Sequence, residues 1–159
     1  MKKDIKQYHL LVIEDNPGDF ILVEEYLEEM ILNPDITRAQ SFIEAKKILE
    51  SSESEKIDVI LLDLSLPDKS GEILISEIFE LSKGKPIIVL TGYADANFAI
   101  RSLSMGVSDY LLKDDLTATA LYKSIVYNIE RNKNIVKLQE SEQRYADLFQ
   151  SSPQPMWVY

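Results

Sequence analysis

Polar residues with reactive side chains follow four apolar runs of this chain. They are Glu14 and Asp15 after the first run, then Asp63, Thr91 and Lys113 after three later runs. Two carboxylates about 4 Å apart repel by roughly 4 kcal/mol at an effective dielectric of 20. If the three acids share one pocket, Lys113 offsets part of that repulsion and a divalent cation would offset most of it. An all-oxygen ligand set favours Mg²⁺ or Mn²⁺ over zinc.

A carboxylate beside such a cation is suited to phosphoryl transfer. Asp63 would be the nucleophile, because a cation with open positions can also bind a phosphoryl oxygen. The Thr91 hydroxyl and the Lys113 ammonium would bind the remaining phosphoryl oxygens. Gly92, which has no side chain, leaves space beside the site.

The elements that would position these residues are buried strands. Residues 59–62 are apolar at every position, a pattern typical of a strand covered on both faces in a parallel sheet. Further strands are predicted at 8–13, 36–39, 87–90 and 109–112. Because parallel strands all end at the same edge of a sheet, the polar residues should meet there.

Helix signals separate the strands. Asn16 and Pro17 form an N-cap and first helical position, and Ser41 with Glu44 has the form of a capping box. Further helices are predicted at about 71–82, at 95–104 with Gly106 after its C-terminus, and at about 117–150, whereas the polar run 51–56 is predicted to be a loop. Five strands alternating with five helices predict an α/β fold with a doubly wound parallel sheet.

Composition restricts the functional classes. The chain has 159 residues, no cysteine and a formal net charge of −10. Without thiols there is no disulfide or thiolate metal site, and the reducing cytoplasm is the expected location. The charge argues against nucleic acid as a direct partner and suits a cation site. No signal peptide or membrane span is expected, because the longest apolar runs are short.

Together, these motifs resemble the receiver domain of two-component response regulators over about residues 8–131. The segment 106–113, which runs into Lys113, is especially similar to the corresponding segment of that family. The resemblance implies a flavodoxin-like fold with strand order 2-1-3-4-5 and an extended C-terminal helix. It also implies a phosphoacceptor that takes a phosphoryl group from a histidine kinase or a histidine phosphotransfer protein and is not itself an enzyme.

The resemblance also assigns roles to individual residues. Asp63 matches the phosphoacceptor; Glu14, Asp15 and the Ser65 backbone carbonyl match the Mg²⁺ ligands; Thr91 and Tyr110 match a switch pair; and Lys113 matches the family's lysine. Two positions depart from the family pattern. Asp114 stands where a proline in a cis bond often follows the lysine, and the acid pair is Glu-Asp where two aspartates are common.

The end of the chain resembles the start of a PAS sensory domain, from Glu142 to Tyr159. This predicts three segments: a receiver domain at 1–131, a helical linker or coiled coil at 132–150, and the first residues of a PAS domain at 151–159. Ile135, Leu138, Tyr145 and Phe149 recur at heptad-like spacing, so a parallel homodimer through this helix is expected. The chain's own PAS or output module is the expected receiver of the signal.

Three alternatives remain open at the level of sequence. A pseudo-receiver that signals by binding alone would not need the complete acid pocket. An aspartate-nucleophile phosphatase of the haloacid dehalogenase kind would need a second acid two residues after the nucleophile, where this chain has Ser65. Flavin binding would need a phosphate-binding loop after the first strand, and none is evident.

Overall fold

Five parallel strands form a single sheet in the order β2-β1-β3-β4-β5. A computed structural model describes residues 2–92 and 95–150, with side chains up to Gln143. The strands are β1 (His9–Ile13), β2 (Asp35–Ala39), β3 (Val59–Leu62), β4 (Ile87–Thr91) and β5 (Asp109–Leu112). This arrangement confirms the predicted fold, a flavodoxin-like doubly wound sheet. β1, β3 and β4 supply most of its fully buried residues because both of their faces are covered.

Helices cover both faces of the sheet. They are α1 (Pro17–Met30), α2 (Phe42–Glu50), α3 (Gly71–Ser82), α4 (Ala96–Ser104) and α5 (Ala118–Gln150). α1 and α5 pack on one face through residues such as Leu27 and Ile125. α2, α3 and α4 pack on the other through residues such as Leu49, Ile78 and Phe98.

The predicted helix starts are confirmed. The Asn16 side chain accepts a hydrogen bond of 3.1 Å from the backbone N–H of Asp19, and Pro17 is the first residue of α1. The Ser41 hydroxyl accepts one of 3.2 Å from the N–H of Glu44. The Glu44 carboxylate bonds back to the N–H of Gln40, one residue earlier than a standard capping box would place it.

The prediction of a loop at 51–56 is wrong. Ser52–Lys56 forms a short 3₁₀ helix. Its first turn is capped by Ser51, whose hydroxyl accepts a hydrogen bond of 3.2 Å from the N–H of Glu53. A second 3₁₀ turn, Lys113–Asp115, follows β5 directly. Such short helices have no hydrophobic periodicity, so a polar run can conceal one.

The predicted long C-terminal helix is confirmed, since α5 runs unbroken from Ala118 to Gln150. Its buried face ends at Ile129, and every described side chain from Lys133 to Gln143 is exposed. The side chains of Tyr145 and Phe149, and the segment 151–159 with its resemblance to a PAS domain, lie outside the described residues. No helix in the described part of the chain combines the length and the apolar character needed to cross a bilayer.

Candidate functional site

Three acidic side chains meet at the carboxyl edge of the sheet. Glu14 follows β1 and Asp63 follows β3, and these strands pair with Ile13 opposite Leu62. The N–H of Asp63 donates to the carbonyl of Ile13 at 3.0 Å, which fixes the two strand ends side by side. Glu14, Asp15 and Asp63 each offer a carboxylate oxygen, and these oxygens lie within 4.8 Å of one another. Glu14 and Asp63 are almost fully buried, with 3% and 6% of their surface exposed.

Lys113 places a cation in this acidic pocket. Its Nζ lies 2.7 Å from Oε1 of Glu14, 2.8 Å from Oδ2 of Asp19 and 3.5 Å from Oδ1 of Asp63. Burial lowers the pKa of Lys113, but the hydrogen bonds to Asp19 and Glu14 and the charge of Asp63 together outweigh it. The net result is a pKa raised above the usual lysine value, so Lys113 remains charged at neutral pH.

Asp19 belongs to this site, although sequence reasoning missed it. It lies in the first turn of α1, four residues after Asp15, and shares Lys113 with Glu14. The sequence did contain one signal. The first turn of a helix that directly follows a strand lies near the end of that strand, so an acid there is close to the same edge of the sheet. The bond from Lys113 to Asp19 is visible only in the structure.

The charge on Glu14 depends on this environment. The pKa of Glu14 is raised to about 7. Burial is the largest cause, the hydrogen bond and negative charge of Asp63 add to it, and Lys113 opposes it. In the absence of a cation, the pocket therefore stabilises a protonated Glu14 near neutral pH. The raised pKa reflects the cost of burying the Glu14 carboxylate beside Asp63.

A cleft of about 460 Å³ opens above these side chains. Its lining consists of Asp15, Asn16, Asp19, Asp63, Ser65, Gly92, Lys113 and Asp114. Ser65 is exposed, and its N–H lies 3.4 Å from Oδ1 of Asp63, so the loop after β3 folds back toward the acid. The peptide bond between Lys113 and Asp114 is trans, as are all the others described.

The other two predicted residues lie beside the cleft. Thr91 is the last residue of β4 and is 2% exposed. It lines a second cavity of about 270 Å³ together with Ser65 and Phe98. Tyr110 is half-buried on β5, with its ring centroid 6.4 Å from that of Phe98. Sequence reasoning also missed Phe98 on α4, which lines this cavity with Thr91 and lies beside Tyr110.

These residues fit a divalent cation with oxygen ligands. Clustered carboxylates next to an open cleft suit a hard ion that keeps positions free for a second ligand. The buried pocket holds three carboxylates against one lysine, so it favours additional positive charge. The described geometry is therefore compatible with Mg²⁺ or Mn²⁺.

Comparison with known proteins identifies the family. The model of the response regulator receiver domain family matches residues 10–125. This chain belongs to that family. The match includes β1 from its second residue, the other four strands, and every acidic and lysine position of the pocket, so the receiver domain is the part of the chain that carries the candidate site.

The chain is similar to curated transcriptional regulators. It is 34% identical over 134 residues to the KdpE regulatory protein of Staphylococcus aureus, covering 82% of this chain and 55% of that protein. It is 29% identical over 127 residues to GlrR of Escherichia coli K12, covering 80% of this chain and 27% of that one. The chain thus spans only about a quarter to a half of the length of these relatives.

Solved receiver domains share the fold. The signal receiver domain of a protein described as a Luxo repressor, from Vibrio parahaemolyticus, matches with a TM-score of 0.71 and 26% identity, covering 84% of this chain and 98% of that one. A response regulator from Burkholderia pseudomallei, solved with a phosphorylated aspartic acid and a calcium ion, matches with a TM-score of 0.64 and 26% identity, covering 83% and 74%. The Mn²⁺-bound form of Rcp1 matches with a TM-score of 0.60 and 28% identity, covering 74% and 88%.

Proposed function

We propose that Asp63 accepts a phosphoryl group from a phosphohistidine. The donor would be a histidine kinase or a histidine phosphotransfer protein. The observation that carries this proposal is the buried Asp63 carboxylate, which lies within 4.8 Å of two further acids and 3.5 Å from Lys113. A carboxylate oxygen would form the new bond to phosphorus, while the bond from phosphorus to the imidazole nitrogen breaks and its electron pair stays on the ring.

The neighbouring residues have distinct roles in this proposal. Glu14, Asp15, Asp63 and the Ser65 backbone carbonyl would hold Mg²⁺ or Mn²⁺, which neutralises charge on the transferring phosphoryl group. Lys113 stays protonated and would bind a phosphoryl oxygen once it leaves Glu14. Thr91 would donate its hydroxyl to a second oxygen, and Gly92 leaves the cleft open at that side. The chain would act as a phosphoacceptor and not as an enzyme with its own substrate.

Signal output would begin at Thr91. A phosphoryl group on Asp63 would draw the Thr91 hydroxyl toward it. That movement would change the packing between Phe98 on α4 and Tyr110 on β5. A ligand shifts a conformational equilibrium only by interacting differently with the two states, and the Thr91 hydroxyl would supply that difference. The affected face consists of α4, β5 and α5.

We further propose that the receiver domain occupies residues 1–131 and passes this change along a helical linker at 132–150 to an output module beginning at 151–159. The continuous course of α5 from Ala118 to Gln150 supports a rigid connection. The assignment of the last segment to a PAS domain depends on the sequence resemblance alone.

Labelling with a small phosphodonor tests the acceptor. Incubation with acetyl phosphate and Mg²⁺ should add one phosphoryl group per chain, detected by intact mass. Asp63→Asn should abolish the addition. Asp58→Asn is the matched control, because Asp58 lies at the opposite end of β3, where it bonds the N–H of His9, and should label normally. Equal labelling of wild type and Asp63→Asn would refute the assignment, and no labelling of the wild type would favour a module that signals by binding alone.

A further inference from the structure

Arg38 binds the backbone of the acid pair from the neighbouring strand. Its Nε donates to the carbonyl oxygen of Glu14 at 3.1 Å, and its Nη2 donates to the carbonyl oxygen of Asp15 at 3.2 Å. The guanidinium also lies over the ring of Phe20 on α1, 4.6 Å from the centroid. Arg38 is half-buried, so these contacts form a defined arrangement and not a freely solvated side chain.

The strand register brings Arg38 to this position. It stands opposite Val12 in the β1–β2 pair, and the ladder ends where the N–H of Glu14 donates to the carbonyl of Ala39 at 2.9 Å. Beyond that bond the chain turns into α1, and its carbonyl groups need partners other than the strand. The planar guanidinium presents several N–H groups at fixed angles, so it can bind two successive carbonyls at once.

The position of its charge distinguishes Arg38 from Lys113. Lys113 bonds directly to the Glu14 carboxylate and therefore occupies an oxygen that a cation would need. The contacts that the structure gives Arg38 are to two carbonyls and a ring, and no described carboxylate forms an ion pair with it. Arg38 therefore holds the peptide groups of Glu14 and Asp15 without bonding to their carboxylates.

We propose that Arg38 is a positioning residue for the divalent cation at Glu14, Asp15 and Asp63. By fixing the two peptide planes after β1, it sets the direction from which the Glu14 and Asp15 side chains converge on Asp63. The inference rests on the proposed function, because it takes for granted that this cluster binds Mg²⁺. Residues that orient metal ligands in this way typically change metal affinity by 10–100-fold when they are replaced.

Charge and geometry make opposite predictions for this residue. A guanidinium near the pocket repels Mg²⁺, so its removal alone would tighten Mg²⁺ binding. Loss of the two carbonyl bonds would instead weaken binding, because the acid pair would no longer be held in place. Arg38→Lys keeps the charge, but its single ammonium cannot bind both carbonyls at the fixed angles that the guanidinium provides. Arg38→Gln removes the charge as well.

Isothermal titration calorimetry with Mg²⁺ separates the two effects. Both Arg38→Lys and Arg38→Gln should raise the dissociation constant for Mg²⁺, by about tenfold for the lysine variant. Arg101→Lys is the matched control. Arg101 also lies over a phenylalanine ring, 5.5 Å from its centroid, and it bonds the carboxylate of Glu72 away from the pocket. It should bind Mg²⁺ as the wild type does. An Arg38→Lys protein within twofold of the wild type, or tighter binding by Arg38→Gln, would overturn the inference.

A second readout distinguishes positioning from a general loss of stability. In acetyl phosphate labelling, Arg38→Lys should need a higher Mg²⁺ concentration for half-maximal rate, while the rate at saturating Mg²⁺ stays near that of the wild type. A lower saturating rate with an unchanged Mg²⁺ requirement would contradict the positioning role.

If the Arg38 variants do not fold, Phe20→Leu provides a second test. This variant keeps the guanidinium but removes the ring beneath it, and it should raise the Mg²⁺ dissociation constant by a smaller factor. No rise in that variant would then overturn the inference.

The proposed function and this inference can fail separately. If the wild type shows no Mg²⁺ binding and no labelling, the proposed function fails and the inference fails with it. If the wild type binds Mg²⁺ and is labelled at Asp63, but the Arg38 variants match it in both assays, only the inference is overturned.

Discussion

At the scale of single residues, repulsion among the carboxylates destabilises the acidic pocket, and a bound cation would relieve it. Glu14, Asp15 and Asp63 repel one another, and Lys113 balances only part of their charge. Their position could be predicted from sequence because strand ends of a parallel sheet share one edge. Asp19 and Arg38 could not be predicted in the same way. Their contribution depends on where long side chains reach, and strand patterns contain no information about that.

Replacing Asp63 by Asn should stabilise the protein without metal. The substitution keeps the shape of the side chain and removes one charge from the pocket, so the free energy of unfolding in EDTA at pH 7.5 should rise by roughly 1–3 kcal/mol. Mg²⁺ should raise the free energy of unfolding of the wild type by mass action, and it should raise that of the variant by a smaller amount. Urea unfolding with EDTA and with Mg²⁺ measures both effects. A less stable variant in EDTA would mean that the carboxylates do not repel one another as described.

The stability of the metal-free protein should also depend on pH. Burial beside Asp63 raises the pKa of Glu14 to about 7, above its ordinary value of 4.5. Between these values the folded chain holds a proton that the unfolded chain has released, so the free energy of unfolding should fall as pH rises from about 5 to 7.5, by on the order of 1–3 kcal/mol.

Urea unfolding in EDTA across that pH range checks this, with Glu14→Gln as the control that should flatten the dependence. With saturating Mg²⁺ the trend should reverse, because cation binding requires ionised carboxylates. A wild type whose stability in EDTA rises steadily over the same range would show that Glu14 is ionised throughout.

At the scale of elements, β4, α4 and β5 carry the residues of the proposed switch. Thr91 ends β4, Phe98 lies on α4 and Tyr110 lies on β5. The strands and helices themselves follow from apolar periodicity and capping residues such as Asn16 and Ser41. The 3₁₀ helix at Ser52–Lys56 does not, because its formation depends on local hydroxyl and backbone bonds and not on a buried face.

Thr91→Ala should separate phosphorylation from switching. The variant keeps Asp63 and the acidic cluster, so it should still be labelled by acetyl phosphate. It should lose most of the NMR shift changes that labelling causes in α4 and β5, since the hydroxyl that responds to the phosphoryl group is gone. Thr37→Ala, at an exposed position on β2, should retain them. Wild-type shift changes in the Thr91 variant would disprove the coupling.

Gly106 should be essential for the end of α4. Its φ is +105°, and a Cβ at this position would lie 2.3 Å from the nearest ring carbon of Phe79. Gly84 has a similar φ of +87° but open space around it, so it is the matched control. Gly84→Ala should cost about 1 kcal/mol from backbone strain alone, and Gly106→Ala about 2–3 kcal/mol because the ring must also move. Equal losses in urea unfolding would mean that Phe79 yields at no cost.

At the scale of the whole molecule, α5 divides the chain into two parts. Up to Ile129 one face of the helix is buried against the sheet, and from Lys133 to Gln143 the described side chains are exposed. Length and pattern were enough to predict the helix, because 117–150 contains neither glycine nor proline. The order of the strands could not be derived from periodicity and came with the family resemblance.

A parallel dimer through the outer half of α5 is expected. Ile135 and Leu138 are 43% and 60% exposed and lie three residues apart, as positions of a coiled-coil seam do. Light scattering should give twice the 18.2 kDa mass of one chain at high concentration. Leu138→Glu should shift the mass toward the monomer, whereas Val136→Glu, on another side of the helix, should not. A wild type that stays monomeric at high concentration would contradict the expectation.

In the proposed signalling, the outer half of α5 would also act as a lever. From Ile129 to Gln150 the helix extends roughly 30 Å at about 1.5 Å per residue, so a tilt of only about 5° at its base would move its tip by about 3 Å. A displacement of that size is comparable to the diameter of a methyl group, which is enough to bring packed side chains out of register. If phosphorylation shifts Thr91 as proposed, a small change at the base of α5 would suffice, because the length of the helix converts an angle into a distance.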